Sequence, residues 1–461
     1  MKRYAKAALL AAMPMLFINA CSDNNYLKCA DCITSPTAPT TASPQQLLVA
    51  AQANLWQRLN GNLARIVSMW TQQMAGTSLQ YQTYDSYVID AGTAGGDLSF
   101  AYAGGGLIDL RTIEGQSTAT GDKLTLGIAQ VIEAWQTGTS ADIWGDVPYS
   151  QAAKPDSFPQ PVYDKQQDVY AAVLSLLGQA VTNLQAGGNG PGVSDLVYKG
   201  DQQKWIALAH TLSARFYLHL AERDPTNYAK ALAEANQGIA SNSGDYITVQ
   251  TATANQQNDW FQFILNSNRK GLIAAGKFGV DLLTNTNDPR LSEYYQKGTG
   301  TTAIAGAAPA QSLASWMGQV SAKRLAPDYG QPLVTYNENL LIKAEALFQT
   351  GAASAALDTL NKERSAWALT GVSWHSPLAL APVTGPVTLA AVMNEKYLVL
   401  FQNIEAWNDY KRTCLPALTP SSGMPAVPGR LMYSTASRQT NTKVPNDPTR
   451  NWNDPAACSA P

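Results

Sequence analysis

Apolar residues recur along this chain at helical spacing rather than in strand alternation. In 122–138, Leu124, Ile128, Val131, Ile132 and Trp135 share one face of a 3.6-residue period. Segment 164–185 repeats the pattern with Val169, Val173, Leu176, Leu177, Ala180 and Leu184. In 201–223 the stripe is Trp205, Leu208, Ala209, Leu212, Phe216 and His219; in 227–240 it is Tyr228, Ala231, Leu232, Ala235 and Ile239. Further helical stretches are 338–349, 352–368 after a break at Thr350-Gly351, and 386–411. Helices of this length, joined by short breaks and rich in Ala, predict a mainly α fold. The scaffold expected is one of tetratricopeptide-like helical hairpins over about 122–241 and 338–411, without a strict repeat period. Trp135, Trp205 and Trp407 lie on the stripes and are assigned to packing.

The helical pattern lapses at 242–337, which is rich in Asn, Gln, Gly and Thr with scattered aromatics. GTGTTAIAGAAPA (298–310) within it reads as a mobile loop. An irregular insertion on a rigid scaffold is where a ligand surface is expected. Residues 412–461 form a Pro-rich tail.

The N-terminus changes the picture. Lys2, Arg3 and Lys6 precede ALLAAMPMLF, an apolar run too short to span a membrane comfortably, and no stop-transfer pattern follows. INAC then resembles a bacterial lipoprotein signal, with 1–20 as signal peptide and Cys21 as the lipid-bearing residue. A plain secretory peptide is the alternative. Acyl chains on Cys21 would anchor firmly, at about 0.8 kcal/mol per buried methylene. Residues 21–42 are polar, with Thr and Pro, and read as a tether; 43–461 is the folded domain. Net charge is −2 with 14% charged residues and no basic tract, which argues against a nucleic-acid partner.

Cysteine usage fits export. Cys414 and Cys458 flank the tail and predict a disulfide, worth roughly 4 kcal/mol in the chain-entropy model. Cys29 and Cys32 form a CADC without βαβ context, so a local disulfide or two idle thiols fit better than a redox pair.

No nucleophile elbow, Walker A loop, H-E-x-x-H or EF-hand spacing occurs. His210 and His219 are half a revolution apart on one helix and cannot share a metal. His219, in the apolar stripe, reads as a hydrogen-bonded core residue, and nothing around His375 supports a triad. Two carboxylates, Asp142 and Asp146, stand in ADIWGDVPYSQA (141–152). Their spacing suits two-carboxylate glycoside chemistry. Gly145 and Pro148 instead mark a turn, with both Asp side chains placed to cap backbone N–H groups and Trp144 and Tyr149 docking the corner. The structural corner is the favoured reading. A surface glycan hydrolase using Asp142 and Asp146 stays open as an alternative, as does a periplasmic tetratricopeptide scaffold that binds proteins.

ADIWGDVPYSQA resembles the helix-end signature of the SusD/RagB family of outer-membrane nutrient-binding lipoproteins. NDPRLSEYY (287–295) resembles its Asp-Pro-Arg segment at Asp288, Pro289 and Arg290. PLVTYNENLLIKAEALFQTG (332–351) and NEKYLVLFQNIEAWNDYKRT (394–413) resemble its later helices. Order and spacing agree over about 43–435. The resemblance implies a SusD-like fold and a lipid-anchored, surface-facing place in the outer membrane. It implies a SusC-type TonB-dependent barrel as partner, and capture and hand-off of an oligosaccharide or peptide without catalysis. No cofactor is implied; calcium occurs in some relatives, but no residues here assign a site.

Sugars offer flat C–H faces and a rim of hydroxyls, so aromatic rings and amide or guanidinium groups are the expected contacts. Aromatics outside the helix stripes are Tyr81, Tyr84, Trp260, Tyr294, Tyr295 and Trp316, with Tyr87 and Phe261 nearby. Asn258 and Arg269 are the polar candidates, flanked by Asn266 and Asn268. Buried Trp and Tyr with a hydrogen-bonded tip are the competing explanation.

Overall fold

The computed structural model of the protein describes residues 42–93, 96–267, 269–454 and 458. Residues 1–41, which hold the expected signal peptide, Cys21, Cys29, Cys32 and nearly all of the expected tether, lie outside the described residues, as does Asn268. Residues 44–461 form one compact unit.

Helix α1 (Pro44–Asn60), α2 (Asn62–Trp70), α3 (Leu79–Asp85) and α4 (Leu107–Thr120) open the fold. The hairpin scaffold follows: α5 (Lys123–Trp144), α6 (Gln166–Ala186), α7 (Gln202–Ala221), α8 (Thr226–Ala235), then α11 (Tyr336–Gln349) and α12 (Ala353–Ala366). Each packs on the next, α4 on α5 through α8 on α11 and α11 on α12. Local chemistry sets where they begin. Asp122 accepts from Thr125 N at 3.2 Å, Asp201 from Gln203 N at 3.0 Å, and Thr335 from Glu338 N at 3.1 Å. Each satisfies an orphan donor of the first turn.

Helix α5 is enclosed rather than half-exposed: every residue from Leu124 to Trp144 is buried. Its close approach to α7 needs Gly138, where a Cβ would stand 2.3 Å from the Phe216 ring. The expected stretch 386–411 is broken into α13 (Leu389–Val399) and α14 (Glu405–Thr413), with Gln402 at φ 65° between them.

The insertion 242–337 carries more structure than its composition suggests. Strand β1 (Met74–Gly76) pairs antiparallel with β3 (Ile273–Ala275), β2 (Tyr246–Ile247) with β6 (Pro332–Val334), and β4 (Tyr295–Gln296) with β5 (Gln319–Val320). Between them lie a helical turn Asp259–Phe261 running into π-helical Gln262–Asn266, α9 (Lys277–Asn285) and α10 (Leu291–Tyr294). The loop 298–310, expected to be mobile, is docked. Ala307 N donates to Ala275 O and Lys277 N to Ala307 O, both at 2.8 Å, and Ala307 is fully buried. Its small residues let the backbone lie against β3 and bond there, so low side-chain content marks close packing, not freedom.

The tail closes the molecule. Cys414 and Cys458 form a disulfide, and α15 (Thr435–Thr440) lies between them. Among the described residues no helix is long and apolar enough to cross a membrane.

Candidate functional site

The corner at 141–152 comes first, because a hydrolytic reading depends on it. Gly145 ends α5 at φ 81°, a conformation that favours glycine, and a Cβ there would meet Asn451 Oδ1 at 2.8 Å. Asp146 then points outward. Its Oδ1 accepts from Gln166 N at 3.0 Å, capping α6, and its Oδ2 pairs with Lys165 at 2.8 Å. Asp142 points inward and is 1% exposed. Its carboxylate accepts from Tyr170 Oη and lies 2.8 Å from His219 Nδ1. The tail wraps the turn: Arg430 donates to Trp144 O at 2.8 Å, Leu431 N to Ile143 O at 3.1 Å and Tyr433 Oη to Asp146 O at 2.7 Å. One carboxylate is thus sealed in the core while the other holds a helix N-terminus. They do not face a shared cleft as an acid pair must.

Asp142, His219 and Glu405 bring three ligand atoms within 4.8 Å of one another, the one grouping among the described residues with metal-binding spacing. Both imidazole nitrogens face carboxylates: Nε2 is hydrogen-bonded to Glu405 Oε2 at 3.0 Å, and Nδ1 lies 2.8 Å from Asp142 Oδ1. Burial opposes charge on the ring. The two carboxylates outweigh it and hold the pKa up at about 9. As placed here the three groups form part of a buried ion-pair network. It continues through Arg215, which is bidentate to Glu338 at 2.8 Å and lies 3.6 Å from Glu405. Glu345 pairs with Lys396 at 3.0 Å and with Arg412 at 2.6 Å, and both cations also reach Asp409. Arg290 of the Asp-Pro-Arg segment is fully buried between Asp288 and Glu395. These pairs fasten helices distant in sequence to one another.

Most of the aromatics expected to meet ligand are core anchors instead. Trp260 is fully buried and donates to Asn60 Oδ1 at 2.9 Å. Tyr294 stacks on Phe401 at 4.4 Å and donates to Leu398 O at 2.7 Å; Tyr295 donates to Gln73 O at 2.7 Å. Tyr81 is buried edge-on to Phe263, and Tyr87 is buried too. Asn258 is fully buried, donating to Tyr329 O at 2.9 Å and capping the turn at Trp260 N. Tyr81, Trp260, Tyr294, Tyr295 and Asn258, expected at ligand, are all buried in this structure. They sit outside helix stripes because they fill the seams between layers, and their polar tips are used up there. Tyr84 is half-buried beside Tyr81. Arg269 is exposed, with its guanidinium 5.1 Å over the Phe263 ring.

Trp316 differs. It is 37% exposed, and its ring has no aromatic or hydrogen-bonding partner among the described residues. Its backbone is nonetheless fixed: Thr299 N donates to Ser315 O at 2.7 Å, and a Cβ on Gly298 would meet Trp316 C at 2.3 Å. Its chain neighbours Ser315 and Met317, though not Trp316 itself, line a groove of about 740 Å³ whose other walls come from Ile264, Leu265, Lys270, Gly271, 296–299 and Leu325. Leu265, Leu313 and Met317 give it an apolar floor; Lys270, Gln296 and Lys297 stand at its polar edge. Helix α3 braces the far side. Gln82 Nε2 donates to Ala310 O at 2.8 Å, and Leu313 N donates to Thr77 O at 3.0 Å. An apolar floor with a few polar groups is the usual make-up of a small-ligand site. Lys270, Lys297 and Leu313 were not singled out from sequence. The available signal was Leu313 and Trp316 standing as lone large apolar residues in a Gly-, Ser- and Ala-rich stretch.

A family model described as SusD-like, starch-binding and associating with the outer membrane matches residues 36–434. Among curated proteins, none matches the chain in sequence. Solved structures share the fold. A SusD/RagB family protein from Bacteroides thetaiotaomicron superposes with a TM-score of 0.73 at 21% identity, covering 87% of this chain and 95% of that one. A chitin-binding SusD homologue from Flavobacterium johnsoniae gives 0.73 at 17% identity, with 90% and 99% covered. A Bacteroidetes SusD-like protein gives 0.76 at 17% identity, with 90% and 100% covered.

Proposed function

The chain belongs to the SusD-like family, and from that premise we propose that it is a lipid-anchored, cell-surface protein that captures an oligosaccharide and passes it to a SusC-type TonB-dependent barrel. The observation that carries the reading is the groove beside Trp316. There an expected ligand aromatic is exposed on a fixed backbone, and its chain neighbours Ser315 and Met317 line a groove with apolar and polar groups. An indole face against the C–H face of a sugar, with Lys270, Gln296 and Lys297 for the hydroxyls, needs no reacting group. Stacking and amide bonds are individually modest, so binding is reversible, as delivery requires. The chitin-binding relative with this fold supports a saccharide over a peptide. The helical scaffold supplies rigidity, and the lipid on Cys21 would keep the groove at the membrane. Catalysis has no part in this reading, since Asp142 and Asp146 both serve the scaffold.

Titrating the mature chain with maltohexaose, cellohexaose and chitohexaose tests the proposal. Trp316→Ala should weaken binding of the preferred hexamer about tenfold or more, the scale of a lost stacking contact. Its melting temperature should not move. Unchanged affinity in Trp316→Ala would remove the groove from the reading.

A further inference from the structure

A second groove, of about 570 Å³, lies between α1 and the segment 249–262. The turn Asp259–Asn266 separates it from the Trp316 groove, contributing Asp259 and Gln262 to one and Ile264 and Leu265 to the other. Its apolar contacts are Val49, Ala53, Trp56, Leu196 and Val249, of which Val49 is 37% and Val249 48% exposed. Its polar lining is dominated by primary amides: Gln57, Gln250, Gln256, Gln257, Gln262 and Asn255. No Lys, Arg or His lines it. Its one acid, Asp259, is raised by burial to about 6, with Arg65 and Asn60 opposing the rise.

The amides are half used. Gln257 Nε2 donates to Ala252 O at 3.2 Å and Gln262 Nε2 to Gln257 O at 3.0 Å. The Gln250 amide nitrogen donates to Gln256 O at 2.8 Å, and Gln256 Oε1 accepts from Thr251 Oγ1 at 2.9 Å. One atom of each of these four amides therefore fixes the side chain. The other, three carbonyl oxygens and one NH₂ group, has no protein partner among the described residues, and the Gln57 and Asn255 amides have none at either atom. Groups held in place before binding lose little entropy on binding. A hydroxyl both donates and accepts, so it fits such a mixed set. A carboxylate or sulfate only accepts, so it could use the free NH₂ groups but would leave the free carbonyl oxygens unpaired beside a carboxyl group, with no cation lining the groove.

We propose that this groove is a second saccharide site, taking a neutral, hydroxyl-rich glycan segment and acting independently of the Trp316 groove. Calorimetric titration of the mature chain, its disulfide intact, tests it with maltohexaose, cellohexaose, chitohexaose and, as the anionic counterpart, hexagalacturonate. The variants are Gln57→Ala combined with Gln256→Ala, and Trp316→Ala alone. Both glutamines are exposed, so melting of the double variant should match the parent. The expected result is about tenfold weaker binding of at least one neutral hexamer in the double variant, the scale of one or two lost hydrogen bonds. Hexagalacturonate should bind both proteins alike. If no neutral hexamer loses affinity in the double variant, or if hexagalacturonate loses as much, the inference falls. Loss confined to Trp316→Ala overturns the second site and leaves the proposed function standing; loss confined to the double variant keeps the second site and removes the Trp316 groove from the proposed function.

Discussion

Replacing His219 by Gln probes the buried network that holds α7 against α5 and α14. The ring is 2% exposed, between Asp142 at 2.8 Å and Glu405 at 3.0 Å. Burial works against its charge, and the two carboxylates prevail, moving the pKa from 6.5 to about 9. A group raised in this way adds stability that is fully present below its unfolded pKa and is lost as pH climbs through the folded one. The whole gap corresponds to about 3 kcal/mol, most of which remains at pH 7 and almost none at pH 10. Glu405 reports the same contact from the other side. Burial raises it, but Arg215 and His219 bring it down to about 2, so its stabilisation is present above its ordinary 4.5 and is lost as pH falls toward 2. The two figures describe one interaction and are not added. In urea unfolding at pH 7, His219→Gln should cost about 3–5 kcal/mol, because two buried carboxylates lose their cation. At pH 10 the gap between parent and variant should narrow by about 2 kcal/mol, since the parent has then lost the same charge. A gap of equal size at both pH values would refute a charged His219.

Reduction of Cys414–Cys458 should lower the melting temperature, because the bridge closes a 44-residue separation worth roughly 4 kcal/mol in the chain-entropy model; unchanged melting after complete reduction would contradict that. Gly138→Ala should cost about 1–3 kcal/mol in chemical unfolding, since its Cβ would stand 2.3 Å from the Phe216 ring and α5 has no free side toward which to shift. Saccharide binding in that variant should match the parent below its melting point.

The helices were legible because their signal is local. The stripe through Val169, Val173 and Leu177 and the cap at Asp122 lie within the elements they define. The Asp142–Asp146 corner was legible for the same reason, as Gly145 and Pro148 state the turn. What sequence could not supply was pairing at distance. Arg215 meets Glu338 and His219 meets Glu405, each across more than 100 positions, and no periodicity relates them. The expectation for the aromatics rested on one inference, that rings outside helical stripes are free for ligand. Trp260, Tyr294 and Tyr295 show the alternative: rings in irregular segments seal the junctions between helices and ladders. The Trp316 groove draws on three separated segments and is braced by a fourth, so its shape is a property of the packed insertion.

Extraction of the source outer membrane in mild detergent, with capture on a C-terminal tag, tests the central claim of capture and delivery most directly. A TonB-dependent barrel recovered in near-equal amount with the tagged chain is the predicted result. Recovery of the chain alone, under conditions that keep other outer-membrane complexes together, would contradict it.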